Sequence, residues 1–140
     1  MKVLLPLDGS SVTKRMLGTL AAHDELLGGG HELILLTVVP FIPARLASFM
    51  GRAAIDVYYS EQAAKVLRPA TKFAARQGWR FRAKHVTGHA AEAIANLADK
   101  ERVDLIVMGT HGRSTLRNVV LGSVASGVLA RCQVPVLLIR

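Results

Sequence analysis

The chain has 140 residues, enough for one domain with a real hydrophobic core and too few for two comfortable domains. Its net charge of +8 attracts anions such as nucleotides, nucleic acids or acidic lipids, without distinguishing between them. One cysteine excludes an internal disulfide and a cysteine-based metal cluster, the histidines lack zinc-site spacing, and the uncharged runs are too short to span a bilayer. Because the N-terminus also makes a poor signal peptide, we expect a cytoplasmic protein with no membrane partner.

The predicted elements alternate between strand and helix. Lys2–Leu7 is the first predicted strand, and a helix from Ser11 to about Leu27 follows, ended by Gly28-Gly29-Gly30. Leu33–Val39 is a nearly continuous apolar run, as expected for a strand that is buried on both faces. The connection from Pro40 to Arg52 is turn-rich and is the least predictable part of the chain.

The second half continues the alternation. Ala53–Gln77 is helix-like, although Pro69 inside it should kink or restart the helix. The remaining predictions are, in order, strand Arg80–Thr87, helix Ala90–Lys100, strand Leu105–Met108, helix Ser123–Arg131 and strand Val134–Ile139. This alternation predicts a single doubly wound α/β domain over residues 1–140, with a five-stranded parallel sheet and helices on both faces.

Two strand orders are common for such a chain. In the order 2-1-3-4-5 the ligand crevice opens between strands one and three, whereas in 3-2-1-4-5 it opens between strands one and four. The polar turn Asp8-Gly9-Ser10-Ser11 follows strand one and a long glycine loop follows strand four, but only Gly88-His89 follows strand three. We expect the two polar loops to face each other, so we predict the order 3-2-1-4-5.

The loop GTHGRSTLRNVVLGS, from Gly109 to Ser123, has the composition of an anion-binding site. Its glycines permit positive φ angles and close approach of a ligand to backbone N–H groups. Ser123 is a favourable helix N-cap, which would direct the positive end of a helix dipole to the same region. With its hydroxyls and the cations Arg113 and Arg117, the loop suits a polyphosphate. The alternative is a long loop with glycines for turns and serines for caps.

Gly109, Gly112, Gly122 and Ser123 fit Gly-x2-Gly-x9-Gly-Ser/Thr without a gap, a pattern that resembles the nucleotide-binding branch of the universal stress protein family. Neither a Walker A loop nor a dinucleotide fingerprint is present. The resemblance extends over nearly the whole chain through LLPLDGS, LILLTVV, VTGHAAEAI, DLIVMGTHGRS and VPVLLIR. It implies a Rossmann-like five-stranded fold, a homodimer, and binding of ATP, with Mg expected alongside it.

The same resemblance implies a set of site residues. Those that would hold the phosphates are Gly109, Gly112, Gly122, Ser123 and Val124. Those on the adenine and ribose side are Pro6, Asp8, Val38 and Met108, with Gly109 near the ribose. His111 and Arg113 lie inside the matched loop without an assigned contact. Asp8 could instead cap the first helix, with Ser10 as the alternative cap, and His111 could simply be solvated.

The expected function is an ATP-binding stress-response or regulatory module with no catalytic residue and no metal ligand of its own. The alternative is a slow ATPase or adenine-nucleotide-dependent enzyme, but no general base is apparent in the motif loops. The Ser-Gly-Gly-x-Asp-Ser loop of related pyrophosphatases is also missing after strand one, where Asp8-Gly9-Ser10-Ser11 stands instead.

Val134–Ile139 should be an uncovered apolar edge strand, at which we expect the homodimer to form; a further protein partner is unknown.

A nucleic-acid surface is a third alternative, suggested by the charge and by Arg80, Arg82 and Lys84 alternating with Trp79 and Phe81. We favour an edge strand whose charges prevent edge-to-edge pairing while the aromatic rings enter the core. No nucleic-acid partner is therefore expected.

Overall fold

The structure, a computed structural model, describes residues 1–23, 30–112 and 121–140. Its elements are β1 (Lys2–Pro6), α1 (Ser11–Ala22), β2 (Glu32–Val39), α2 (Ala44–Ala47), α3 (Arg52–Arg76), β3 (Phe81–Thr87), α4 (Ala90–Glu101), β4 (Leu105–Gly109), α5 (Ser123–Leu129) and β5 (Val136–Ile139). The strands pair in parallel, in the order β3-β2-β1-β4-β5. The predicted α/β class and the order 3-2-1-4-5 are confirmed.

Helices cover both faces of the sheet because successive strand residues point to opposite sides. Leu4 and Leu5 of β1 are both 0% exposed, yet they belong to different hydrophobic clusters. Leu5 packs in a cluster with Met16 of α1 and Val66 of α3, whereas the cluster of Leu4 contains residues of α4 and α5. Each buried leucine contributes about 1.5–3 kcal/mol. The central strand β1 is thus fixed on both faces, and its carboxyl end opens into the loops.

Two helix predictions differ from the structure. Helix α1 ends at Ala22 rather than near Leu27, and residues 24–29, which include Leu27, Gly28 and Gly29, lie outside the described part of the chain. Helix α3 continues through Pro69, so a restart there is wrong. Proline has no N–H to donate to the backbone carbonyl four residues earlier in the helix. Because Pro69 is exposed while its neighbour Ala70 is buried, water can donate to that carbonyl instead. The other element ends agree with the predictions to within about two residues.

Strand β3 is an edge strand, as predicted. Arg82 donates from Nε to Glu32 Oε1 at 2.5 Å and from Nη2 to Glu101 Oε2 at 3.2 Å, and Lys84 also pairs with Glu101. On the other side of the strand, Trp79 and Phe81 pack against the cluster that contains Leu5. The aromatic rings therefore enter the core, and two of the three basic side chains are engaged by carboxylates.

Candidate functional site

The loops after β1 and β4 meet at the carboxyl ends of two neighbouring strands, where the direction of the chain's crossovers reverses. A Cβ added at Gly112 would lie only 2.7 Å from Asp8 Oδ2. The two polar loops thus face each other, as predicted. In open α/β sheets this reversal point is the usual position of a ligand.

The Asp8 carboxylate is held by the first turn of α1. Asp8 Oδ1 accepts hydrogen bonds from the Ser10 N–H at 3.0 Å and the Thr13 hydroxyl at 2.7 Å. Thr13 Oγ1 in turn accepts the Asp8 N–H at 3.2 Å. Ser10 is the N-cap of α1, because its side chain accepts the Thr13 N–H at 3.3 Å. Asp8 therefore supports the turn while its second oxygen, Oδ2, lies beside Gly112.

The three motif glycines are required for space and not for positive φ angles. Residues with positive φ among the described glycines are Gly9, Gly30, Gly78 and Gly88. A Cβ at Gly109 would meet Val12 Cγ1 at 2.4 Å, and one at Gly122 would meet the Thr110 carbonyl oxygen at 3.0 Å. These positions bring the backbone close to α1 and to the loop itself, which a larger residue would prevent.

The prediction that Ser123 caps the last helix is wrong. Gly122 is the N-cap of α5, with φ −69° and ψ 158°, and Ser123 is the first residue inside the helix. The Gly122 N–H donates to the Thr110 carbonyl at 2.7 Å, and this contact fixes the helix entry one residue earlier than the serine. Ser123 is exposed on the rim of the site.

Ten of the eleven residues predicted for the site line one cavity of about 310 Å³. They are Pro6, Asp8, Val38, Met108, Gly109, His111, Gly112, Gly122, Ser123 and Val124. The eleventh, Arg113, lies outside the described residues, as does Arg117. The structure thus brings together residues from β1, β2, β4 and the start of α5.

Sequence reasoning missed the helical walls of this cavity. They come from Val12, Thr13 and Met16 of α1 and from Ala90 and Ile94 of α4, with Leu36 of β2 behind them. The spacing of Val12 and Met16, four residues apart, could have indicated one inward face of α1. Nothing in the spacing indicates which helix flanks which strand end.

The cavity has an apolar wall and a polar rim. Leu36, Val38 and Ile94 lie on the wall, whereas Thr110 and His111 lie on the loop side. The His111 ring is 3.1 Å from the Thr110 hydroxyl, measured from Nδ1 to Oγ1, and Thr110 is buried. Such a cavity suits a ligand with a flat apolar part and a polar or anionic end.

A parallel sheet of this strand order, with a cavity at its switch point, places the chain among the doubly wound α/β proteins. Within that class, the model of the universal stress protein family matches residues 1–140. The chain belongs to the universal stress protein family.

Individual relatives agree with this assignment. The universal stress protein Slr1230 of Synechocystis sp. is 30% identical over 99% of this chain, which spans only 42% of that longer protein. The structure of the protein MJ0577 superposes with a TM-score of 0.79 at 28% identity, covering 99% of this chain and 94% of that one. A universal stress protein in complex with cAMP has a TM-score of 0.73 at 24% identity, covering 100% and 97%. The last likeness shows the fold alone.

Proposed function

We propose that this protein binds an adenine nucleotide in the cavity between the β1 and β4 loops. The observation that carries the proposal is that ten of the residues predicted for the site line the same cavity. A protein of the same fold has been crystallised with cAMP, which makes adenine nucleotides the ligands to test first. ATP with Mg is the form we expect, in a cytoplasmic regulatory module.

The residues of the cavity fit such a ligand in two parts. The adenine and ribose would lie against the apolar side chains of Val38, Ile94 and Met108, which exclude water. The phosphates would lie over Gly112 and Gly122, where the absent Cβ atoms leave the backbone accessible. Mg²⁺ binds nucleotides largely through phosphate oxygens and one or two carboxylates. Asp8 supplies a carboxylate on the cavity wall.

Binding without rapid hydrolysis is the chemistry that these residues favour. Asp8 is the carboxylate among the described lining residues, and one of its oxygens is already bonded to Ser10 and Thr13. His111 is the other candidate for proton transfer, but the Nδ1 atom of its ring already contacts the Thr110 hydroxyl. A slow ATPase remains the second candidate; steady turnover that disappears in Gly122→Val would support it.

The test begins with protein purified without added nucleotide. Denaturation followed by ion-pair chromatography with mass detection should release about one adenine nucleotide per chain if the site is occupied and tight. Its mass distinguishes ATP, AMP and cAMP, and a triphosphate would also show slow hydrolysis. No released nucleotide, together with no thermal shift on adding Mg-ATP, AMP or cAMP, would refute the proposal.

Matched glycine variants locate the binding. In Gly122→Val the new side chain meets the Thr110 carbonyl and His111 Cα, so the nucleotide-induced thermal shift should disappear. Gly18→Val is the control, because among the described residues no atom outside the neighbouring helix backbone lies within 4 Å of a Cβ at that exposed position of α1. Equal loss in both variants would mean that the shift does not report on the cavity.

We also propose a homodimer through the predicted edge segment Val134–Ile139. Strand β5 (Val136–Ile139) is at the edge of the sheet, and Leu137 is 37% exposed there. An apolar edge strand is a template for pairing with another copy. Light scattering after size exclusion should give twice the 15.1 kDa chain mass, and Leu137→Lys should reduce it toward the monomer.

A further inference from the structure

The outward side of helix α3 carries a regular row of cations. Its buried residues are Ala63, Val66, Ala70 and Ala74. The row consists of four exposed basic residues, Lys65, Arg68, Lys72 and Arg76; the fifth basic residue of the helix, Arg52, lies at its start. Each cation follows a buried residue by two positions, which is about 200° around an α-helix. The four cations therefore point away from the sheet, along about 16 Å of the helix axis.

These cations have no ion-pair partner among the residues that the structure describes. The ion pairs found there all join β3 to Glu32 or Glu101. Their own helix carries two exposed carboxylates, Glu61 between Tyr58 and the cations, and Asp56 beside Val57. The row is thus an exposed positive strip on a chain whose net charge is already +8.

The start of α3 and the segment just before it expose apolar side chains. Val57 is 55% exposed and Tyr58 39% exposed. Tyr58 precedes Lys65 by seven residues, so it lies on the same side of the helix as the cations. Just before the helix, Leu46 and Phe49 are 57% and 84% exposed. Phe49 lies three residues before Arg52, so its Cα is within about 11 Å of the helix start.

We propose that this surface docks on an anionic phospholipid bilayer. We call it the α3 surface: Leu46, Phe49 and Tyr58 at its apolar end, and Lys65, Arg68, Lys72 and Arg76 along its length. An apolar group that enters the acyl boundary and a basic strip over acidic headgroups are the two signals that together hold a protein on a membrane. Aliphatic side chains such as Leu46 have no role in binding a nucleic-acid backbone, which disfavours that occupant.

This inference does not depend on nucleotide binding, and it differs from the expectation of no membrane partner. That expectation excluded any membrane partner because no uncharged run is long enough to span a bilayer; among the described residues no helix is long and apolar enough to cross one. Docking on the surface requires no such helix.

The experiment is vesicle flotation with the full chain in about 0.1 M salt. Phosphatidylcholine vesicles containing about one third phosphatidylserine should carry the protein, and pure phosphatidylcholine vesicles should not. Lys65→Glu with Lys72→Glu should reduce binding at least tenfold. The matched control is Lys100→Glu with Arg131→Glu, which changes the net charge equally on exposed residues of α4 and the end of α5 and should retain binding within about twofold.

A second measurement tests insertion of the apolar end. Trp79 is the single tryptophan of the chain, so Phe49→Trp in a Trp79→Phe background reports on position 49 alone. Its emission should shift to the blue on the phosphatidylserine vesicles. The proposal is overturned if the unmodified chain does not float, if both charge variants lose binding equally, or if the fluorescence does not shift. It is also overturned if duplex DNA, and not vesicles, loses binding selectively in the Lys65→Glu/Lys72→Glu variant.

Discussion

Gly112→Ala should reveal whether the contact between the two loops is as close as the structure shows. The added Cβ would lie 2.7 Å from Asp8 Oδ2, a separation that such atoms do not adopt. The carboxylate cannot simply rotate away, since Oδ1 is bonded to Ser10 and to the buried Thr13 hydroxyl. Either the loop moves or the Thr13 bond breaks.

The expected magnitude follows from these two routes. Leaving the Thr13 hydroxyl without its partner costs about 1–3 kcal/mol, and overpacking costs a similar amount. Replacing glycine also reduces the entropy of the unfolded chain, which offsets about 0.4–1 kcal/mol. We therefore expect Gly112→Ala to lower the free energy of unfolding by about 1–2 kcal/mol. We also expect it to weaken nucleotide binding about tenfold or more, because the displaced carboxylate enters the cavity.

Urea unfolding and calorimetric titration with Mg-ATP measure the two effects. Gly18→Ala is the control. It lies within α1, where no other part of the described chain comes within 4 Å of the added Cβ, and it should stabilise the chain by about 0.5–1 kcal/mol. In Asp8→Ala the collision partner is absent, so adding Gly112→Ala should cost almost nothing further. Additive effects in the double variant, or unchanged stability in Gly112→Ala alone, would refute the close contact.

Three further changes test other parts of the structure. Gly109→Ala should destabilise by about 1–3 kcal/mol in urea unfolding, because its Cβ would lie 2.4 Å from Val12 Cγ1. Arg102→Gly should stabilise by about 1 kcal/mol in the same assay, because Arg102 has φ 51°. The hydrogen bond from Lys84 lowers the pKa of Glu101 below its ordinary 4.5. The charged Glu101 therefore contributes its full stabilisation above pH 4.5, and this contribution is lost as the pH falls through the lowered pKa. When unfolding is measured at decreasing pH, the free energy of unfolding of the unmodified chain should fall until it equals that of Glu101→Gln.

The sheet could be predicted because its determinants are local. The apolar run from Leu33 to Val39 identifies a doubly buried strand, and the polar turn at Asp8 selects the strand order once the loops are required to meet. The restart predicted at Pro69 is wrong because the effect of a proline depends on which side of the helix it occupies. That side is set by the packing of Ala70 and its neighbours on the sheet. The helix propensity of a single residue carries no information about this packing.

The site could be predicted where the glycine motif or the family resemblance supplies its residues. The spacing from Gly109 to Gly122 located the loop, but the reason for the glycines, contact with Val12 and with Thr110, requires the tertiary structure. Gly122 rather than Ser123 caps α5 because a backbone contact decides the helix entry over side-chain preference. On the apolar wall the resemblance supplied Val38 and Met108, whereas Leu36 and Ile94 could not be predicted, since a core residue and a cavity residue look alike in sequence.

The apolar wall of the cavity is made of core residues, whereas its loop side carries the motif glycines. The contribution of each side to binding can therefore be tested separately. Ile94, Met108 and Ala125 line the cavity and also belong to the hydrophobic cluster of Leu4, so the apolar wall exists wherever the fold exists. Gly112 and Gly122 belong to neither cluster and act on the loop side only. With the phosphates on the loop side as proposed, ATP would contact both sides and adenosine the wall alone. Adenosine should therefore bind far more weakly than ATP, and Gly122→Val should abolish the difference between them. Equal affinities of adenosine and ATP for the unmodified chain, measured by calorimetry, would assign binding to the core-derived wall and leave the glycine loop without a role in it.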